Sequence, residues 1–457
     1  MKVVGAELKG QKWIAYWLAV MLSLIPVSTF GFVGPFDTYL KPAWLAGTIL
    51  ILSFIYFSLK SNFSFEVFNF HKIVFLLLTF ASFVTAYEII LNEDFGNTTI
   101  TQMLRLLWVL LLFLVISSIK LRIKNVNKVF KIWITLIALI AGYNLYVVVV
   151  TNTGYPGLVP ITASSEAPVS YLGDYRRPAA IIEPSRFCQY TLSPLLASFM
   201  ILFLGSDHGK LVLYNKGYIN YALFVVIFIG YVTTMSLGGI IVLSLVLFSI
   251  ILTSKKYGLK GKLKYLTVIA VISAFASSIL YYAAGINIVY ISYVRIYTLV
   301  GEISGYPSII PDAQYAETSF RARMIGVKRT FNVILENPVS GAGLGNLTIM
   351  NVESLSLSDS ARGVHSGIMQ LTAELGLVGL ILFISLYYKI LRSVLRFSTS
   401  SILAENIRIL LHAFAFILFA RLVYIVGAGN WINIVVWADM SIPLLLINGY
   451  KSGMRDL

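Results

Sequence analysis

The chain has 457 residues, of which 58% are hydrophobic and 12% charged, with a mean hydropathy of +0.84. A soluble domain carries about one-quarter charged residues, so the composition excludes an ordinary soluble enzyme and indicates an all-α, polytopic membrane protein. The net charge of +15 raises nucleic acid or anionic lipid as partners, while the single cysteine, Cys188, excludes an intrachain disulfide and a cysteine metal cluster.

Apolar runs predict spans near 13–33, 42–59, 73–91, 100–119, 132–150, 187–205, 218–234, 237–253, 265–284, 366–388, 409–428 and 432–448. Each can cross a hydrocarbon core of ~30 Å, and together they form a single integral membrane domain over 1–457. The first run follows Lys2, Lys9 and Lys12 and lacks a small-residue cleavage site, so we read it as a retained span. Twelve spans put both termini on one face. With cytoplasmic termini, the clusters Lys120/Arg122/Lys124/Lys128/Lys131, Lys255/Lys256/Lys260/Lys262/Lys264 and Lys389/Arg392/Arg396 all fall inside, as the positive-inside rule requires. The excess charge then sets orientation, and nucleic acid drops out as a partner.

Of the 35 basic residues, 23 fall inside, ten outside and two within spans. The inner set is mostly lysine, with 18 of 23, whereas eight of the ten outer residues are arginine. A planar guanidinium holds phosphate bidentately where lysine acts as a point charge. An outer face selected to bind phosphate would show this contrast; chance and codon bias are the alternative.

The third and fourth spans carry Glu88 and Arg105, nearly equidistant from the turn at Asn97. Equal depth on consecutive helices predicts an intramembrane ion pair, because an unpaired charge there is costly. The first of two long outer loops follows, at 151–186. It holds Arg176 and Arg177, and it ends in Glu183-Pro184-Ser185-Arg186, with Ser185 a candidate N-cap for the next span. Headgroup anchoring and an anion site at a helix N-terminus both fit these residues.

The second outer loop, 285–365, predicts an amphipathic helix near 319–336. Phe320, Met324, Val327, Phe331, Ile334 and Leu335 share one stripe, flanked by Arg321, Arg323 and Lys328. Such a helix would lie at the membrane surface with its arginines at phosphate depth. Asn337-Pro338 ends it, and Gly341, Gly343 and Gly345 predict a flexible turn. That turn is unlike a nucleotide-binding phosphate loop, since it follows a helix and lacks a Gly-Lys-Ser/Thr ending.

His365 stands at the mouth of the tenth span and is alone among the four histidines in facing outward. Glu374 lies about two turns deeper, and Gly376 and Gly379 would let a neighbouring helix approach closely. On the last two spans, Arg421 and Asp439 sit at matched depth about the turn near Asn430 and predict a second ion pair. Such pairs serve as structural clamps or cavity lining; a transporter would use them as an ion relay.

Taken together, Arg323, Pro338-Val339-Ser340-Gly341-Ala342-Gly343-Leu344-Gly345, His365 and Ala373-Glu374-Leu375-Gly376-Leu377-Val378-Gly379 resemble the O-antigen polymerase and ligase superfamily. Glu183-Pro184-Ser185-Arg186-Phe187, after Arg176 and Arg177, resembles that family's other periplasmic signature. Glu-Pro-Ser is closer to the Wzy-type polymerases than to the ligases. Two positions depart from the pattern: Ser236-Leu237-Gly238-Gly239 stands where many relatives carry Ser-Arg-Gly, and Ser366 follows the histidine where Asn is common.

The resemblance implies a bacterial inner-membrane enzyme that joins undecaprenyl-diphosphate-linked repeat units on the periplasmic face. Arg176, Arg177, Arg321 and Arg323 would hold the diphosphate. His365 would be the general base, with Glu183 as fallback base or sugar-binding group. No cofactor is implied, and the outer carboxylates form no close Asp-x-Asp pair, so the expected glycosyltransferase is metal-independent. Membrane lipid and a chain-length regulator are the expected further partners. A ligase that transfers finished glycan to lipid A core shares this chemistry. A flippase or transporter would favour internal repeats and midplane charges, and it leaves the outer arginines without a role.

Overall fold

The computed structural model describes residues 2–27, 32–33, 39–40, 42–61, 69–91, 97–153, 184–204, 214, 217–234, 236–253, 258–284, 290, 293, 326–346, 366–400, 403, 405–427 and 430–453. Each expected span meets one helix, although the first, 13–33, ends early, its helix stopping at Leu24 and its last residues, Phe32–Val33, forming a strand. The first six are α1 (Lys2–Leu24), α2 (Pro42–Ser61), α3 (Asn69–Leu91), α4 (Asn97–Ser118), α5 (Ile123–Thr153) and α6 (Pro184–Leu204). After them come α7 (Gly217–Val232), α8 (Leu237–Thr253), α9 (Leu259–Ala284), α10 (Gly367–Ser398), α11 (Glu405–Gly427) and α12 (Ile434–Gly453). A two-residue antiparallel ribbon, Phe32–Val33 with Tyr39–Leu40, is a minor addition between α1 and α2.

The protein is an all-α polytopic membrane protein. Six helices, α2, α3, α4, α5, α10 and α11, are long and apolar enough to cross a bilayer, and α6, α7, α8 and α12 carry shorter apolar stretches. Their large apolar side chains point outward as well as inward: Phe83, Ile90 and Ile381 are mostly exposed, and only 22% of the apolar window of α2 is buried. In water such a surface would aggregate; against lipid tails it is the expected solvent contact. Pro194 and Pro443 lie inside α6 and α12, a placement that membrane helices tolerate.

The chain divides into two compact units, one comprising Met1–Leu22, Gly31–Phe130 and Ala322–Leu457, the other Ser23–Phe30 and Lys131–Arg321. In the first, α12 packs along α4, and α10 packs against both α11 and α3. Close approach depends on small residues. A Cβ on Gly47 would lie 2.6 Å from the Trp108 ring, and one on Gly449 would lie 2.4 Å from the Leu121 carbonyl oxygen. Trp437 fills the centre, edge-on to Phe113 at 5.7 Å and to Phe383 at 6.0 Å. At the other end of α3, the His71 ring lies 2.9 Å from Ser117 Oγ, and Asn448 Nδ2 donates to the Ser117 carbonyl at 2.6 Å.

In the second unit α6 packs on α7 and α8. The α7–α8 turn is closed by side chains. Tyr231 Oη donates to the Gly239 carbonyl at 2.8 Å, and Cys188 Sγ sits 2.6 Å from Thr234 Oγ1. A Cβ on Gly239 would approach Cys188 Sγ to 2.8 Å, so this turn is packed tightly around the stretch Ser236–Gly239.

Candidate functional site

A break in α10 organises the site. Ser366 caps this helix, its hydroxyl accepting from Met369 N–H at 3.4 Å. Ten residues on, Gly376 takes φ 62° and ψ −168°, a conformation open almost only to glycine. The chain resumes helix at once, so the two ladder bonds that Leu377 and Val378 would send back to Ala373 and Glu374 are missing. Orphaned groups at membrane depth are costly.

The turn after the 326–336 helix supplies the partners. Leu377 N–H donates to Pro338 O at 2.9 Å and Val378 N–H to Val339 O at 3.4 Å. In return, Ala342 N–H donates to Ala373 O at 2.8 Å and Gly343 N–H to Glu374 O at 2.9 Å. Two helical rungs are exchanged for four bonds between segments. Here the structure corrects two expectations. The glycine turn is docked rather than flexible, and the partner that comes close at Gly376 is this turn rather than a helix. The contact is too tight for a side chain: a Cβ on Gly376 would fall 2.1 Å from Val339 O, and one on Gly341 would fall 2.5 Å from the backbone at Glu374–Gly376.

Glu374, fully buried, locks the arrangement. Its Oε1 accepts from Gly345 N–H at 3.3 Å and from Gln370 Nε2 at 3.1 Å, and its Oε2 accepts from Trp431 Nε1 at 3.1 Å. The turn is held from α3 and α4 as well. Leu344 N–H donates to Thr85 Oγ1 at 3.4 Å, Thr99 Oγ1 donates to Asn346 Oδ1 at 3.2 Å, and Asn346 Nδ2 closes on Ala342 O. Glu88 lies beneath it, its Cγ 3.1 Å from where a Gly343 Cβ would be. Gly341, Gly343 and Gly345 all have positive φ, the concave amide geometry that can cradle an anion. Here every N–H from 341 to 346 already has an acceptor within the protein, and only that of Gly345 is directed to the Glu374 side chain.

The helix leading into the turn is seated on the same assembly. Val333, outside the stripe read from sequence, packs with Ala342 and Ala373. Gly326 and Thr330 are buried on that face, while Phe331 and Leu335 are exposed. The described helix therefore has a docked face and an open apolar face. Arg329, half-buried on this helix, was not singled out from sequence.

His365, Glu183, Arg176, Arg177, Arg321 and Arg323 lie outside the described residues. Of the intramembrane candidates, Arg421 and Asp439 are both buried, with Arg421 Nη2 2.7 Å and Nε 2.8 Å from Asp439 Oδ2. Glu88 and Arg105 are half-buried on α3 and α4, which pack together. Sequence reasoning missed Trp431, Thr85 and Asn346 as holders of the turn. Gln370 was readable, being one helical turn before Glu374 and so on the same face.

Residues 222–384 match a family model described as O-Antigen ligase, which is consistent with a member of the O-antigen polymerase and ligase superfamily. The matched stretch contains the docked turn, Glu374, Gly376 and the positions of Arg321, Arg323 and His365. Arg176, Arg177 and Glu183 precede it. No curated protein matches the chain.

Proposed function

We propose that the protein polymerises undecaprenyl-diphosphate-linked oligosaccharide repeat units on the outer face of a bacterial inner membrane. The family match supports O-antigen polymerase or ligase activity in general. One observation supports placing the chemistry at the outer mouth of α10. The described chain ends from which Arg323 and His365 depart, residue 326 and Ser366, belong to one docked assembly, with Val333 packed on Ala373 and the turn bonded to α10. Both segments thus leave from a common fixed base.

In the proposed step an acceptor sugar hydroxyl attacks the anomeric carbon of the donor glycan. His365 takes the hydroxyl proton, since an imidazole titrates near working pH, with Glu183 as the alternative base. The new glycosidic bond forms as the bond from the anomeric carbon to the diphosphate oxygen breaks, and undecaprenyl diphosphate leaves. Arg323, Arg321, Arg176 and Arg177 stabilise the charge growing on that diphosphate. Each preorganised donor of this kind contributes roughly 3 kcal/mol to the transition state. The charge is met by guanidinium groups, and the proposed mechanism assigns no step to a metal.

A ligase is the second reading, since the matched family model supports either activity and does not separate the two. The test is an electrophoretic ladder of surface polysaccharide from a deletion strain complemented with wild type or His365→Ala. A single repeat unit on its acceptor in the deletion strain, with the ladder restored by wild type alone and insensitive to chelator in membranes, supports the metal-free polymerase. Loss of all attached glycan, with long polymer on the carrier, supports the ligase. An unchanged ladder overturns both.

A further inference from the structure

We propose that Glu374 is a positioning residue, setting the arginine-bearing segment against the mouth of α10 by clamping the glycine turn into the break at Gly376. The inference rests on the reading of Arg323 and His365 given above, and it assigns Glu374 no contact with substrate. Glu374 joins three separate pieces of chain. Its carboxylate receives an amide of the turn (Gly345), an amide side chain of its own helix (Gln370) and the indole of the segment before α12 (Trp431). All three are neutral N–H donors, and no cation among the described residues lies within ion-pair distance.

The donors are supplied by chain elements that have no other reason to meet. Gly345 is 29 residues before Glu374 in sequence and Trp431 is 57 after it. The carboxylate has two oxygens that only accept, so it satisfies all three N–H groups at once. Glutamine at this position presents one oxygen and one NH2. It keeps the size of the side chain but sets its own donor against Gly345 N–H or Trp431 Nε1. One of the two ties, at Gly345 or at Trp431, is then lost and the turn is held less firmly, while its backbone bonds to Ala373 and Glu374 remain. Loosening, rather than unfolding, is the expected result. A misplacement of about 1 Å in a positioning element can lower turnover on the order of 100-fold.

The experiment uses the full-length protein reconstituted in lipid nanodiscs, as wild type, Glu374→Gln and Trp431→Phe. Two readouts are taken: hydrogen–deuterium exchange of peptides covering 338–346, and turnover of lipid-linked repeat units extracted from the deletion strain. For Glu374→Gln we expect faster exchange confined to the turn and a fall in kcat approaching about 100-fold, with KM held within about threefold. Trp431→Phe, which removes one donor and leaves the turn untouched, should fall between the variant and wild type in both readouts. Unchanged exchange in the turn overturns the clamp. Faster exchange with undiminished kcat overturns the positioning role, as does a rise in KM alone. Should Glu374→Gln fail to accumulate, Trp431→Phe decides by the same criteria. Wild-type protein without turnover would sink the functional reading and the positioning role together, while exchange would still decide the clamp.

Discussion

Among the described residues of the first unit two carboxylates are buried, and they are held in opposite ways. Asp439 on α12 faces the guanidinium of Arg421 on α11, charge against charge, 2.7 Å apart between two continuous helices. Glu374 lies where α10 is broken and receives only neutral donors, drawn from a turn, its own helix and the approach to α12. The ion pair ties regular helices, and losing one partner would leave the other charge buried without compensation. The amide-clamped carboxylate adds a tie at Gly345 to irregular backbone whose other N–H groups are met by α10, by Thr85 and by the turn itself. The first arrangement should therefore govern whether the unit assembles, and the second how its active segments are set.

The largest effect is expected at the ion pair. Asp439→Ala leaves Arg421 buried without its counter-charge, a loss of about 3–5 kcal/mol in comparable buried pairs. The protein should disappear from membranes, as read by immunoblot against wild type. Replacing both partners together, Arg421→Met with Asp439→Leu, removes the charges from both and should restore most of the abundance. Normal abundance of Asp439→Ala alone would show that the pair is dispensable and would collapse the contrast with Glu374.

An intermediate effect is expected at Gly376. Alanine there meets a strained conformation that costs roughly 1–3 kcal/mol, in addition to the overlap with Val339 O. The penalty is limited because the turn can undock without opening the helices around it. Gly376→Ala should accumulate near wild-type levels and melt a few degrees lower, with the turn exposed to exchange and the polysaccharide ladder lost. Loss of abundance equal to that of Asp439→Ala would instead place the broken segment in the folding core.

How far each region is legible in the sequence follows from the range of its signals. Runs of about 20 apolar residues mark spans locally, so every expected span meets a helix. Equal depth about the Asn430 turn is also a local signal, and it places Arg421 and Asp439 opposite one another. The docked turn has no such signature. Three glycines in eight residues predict freedom when read alone; their fixity comes from a carboxylate 29 residues away and from a helix break that nothing around Gly376 announces. A lone glycine in an apolar helix commonly marks close helix packing, and here that expectation was replaced by backbone intercalation. Likewise Val333, which lies outside the apolar stripe, seats the 326–336 helix with help from Ile334 of that stripe, because what it packs against, Ala342 and Ala373, is set by the turn.

Trp437 offers the smallest and most discriminating test, because it stands between the two carboxylates. It lies two residues before Asp439, and its Nε1 donates at 3.0 Å to the carbonyl of Trp431, the residue whose indole holds Glu374. Trp437→Phe keeps most of the ring packing against Phe113 and Phe383 but deletes that bond, costing about 1 kcal/mol. If the two regions act separately, this change lowers thermal stability slightly and its effect on turnover adds to that of Glu374→Gln. If the Trp431 carbonyl must be held for its indole to reach Glu374, the double variant is no slower than Glu374→Gln alone, since the clamp is already lost. Turnover measured on the four proteins of this cycle separates the cases. A non-additive result would mean that the α12 end bearing the ion pair also sets the angle at which the turn is clamped.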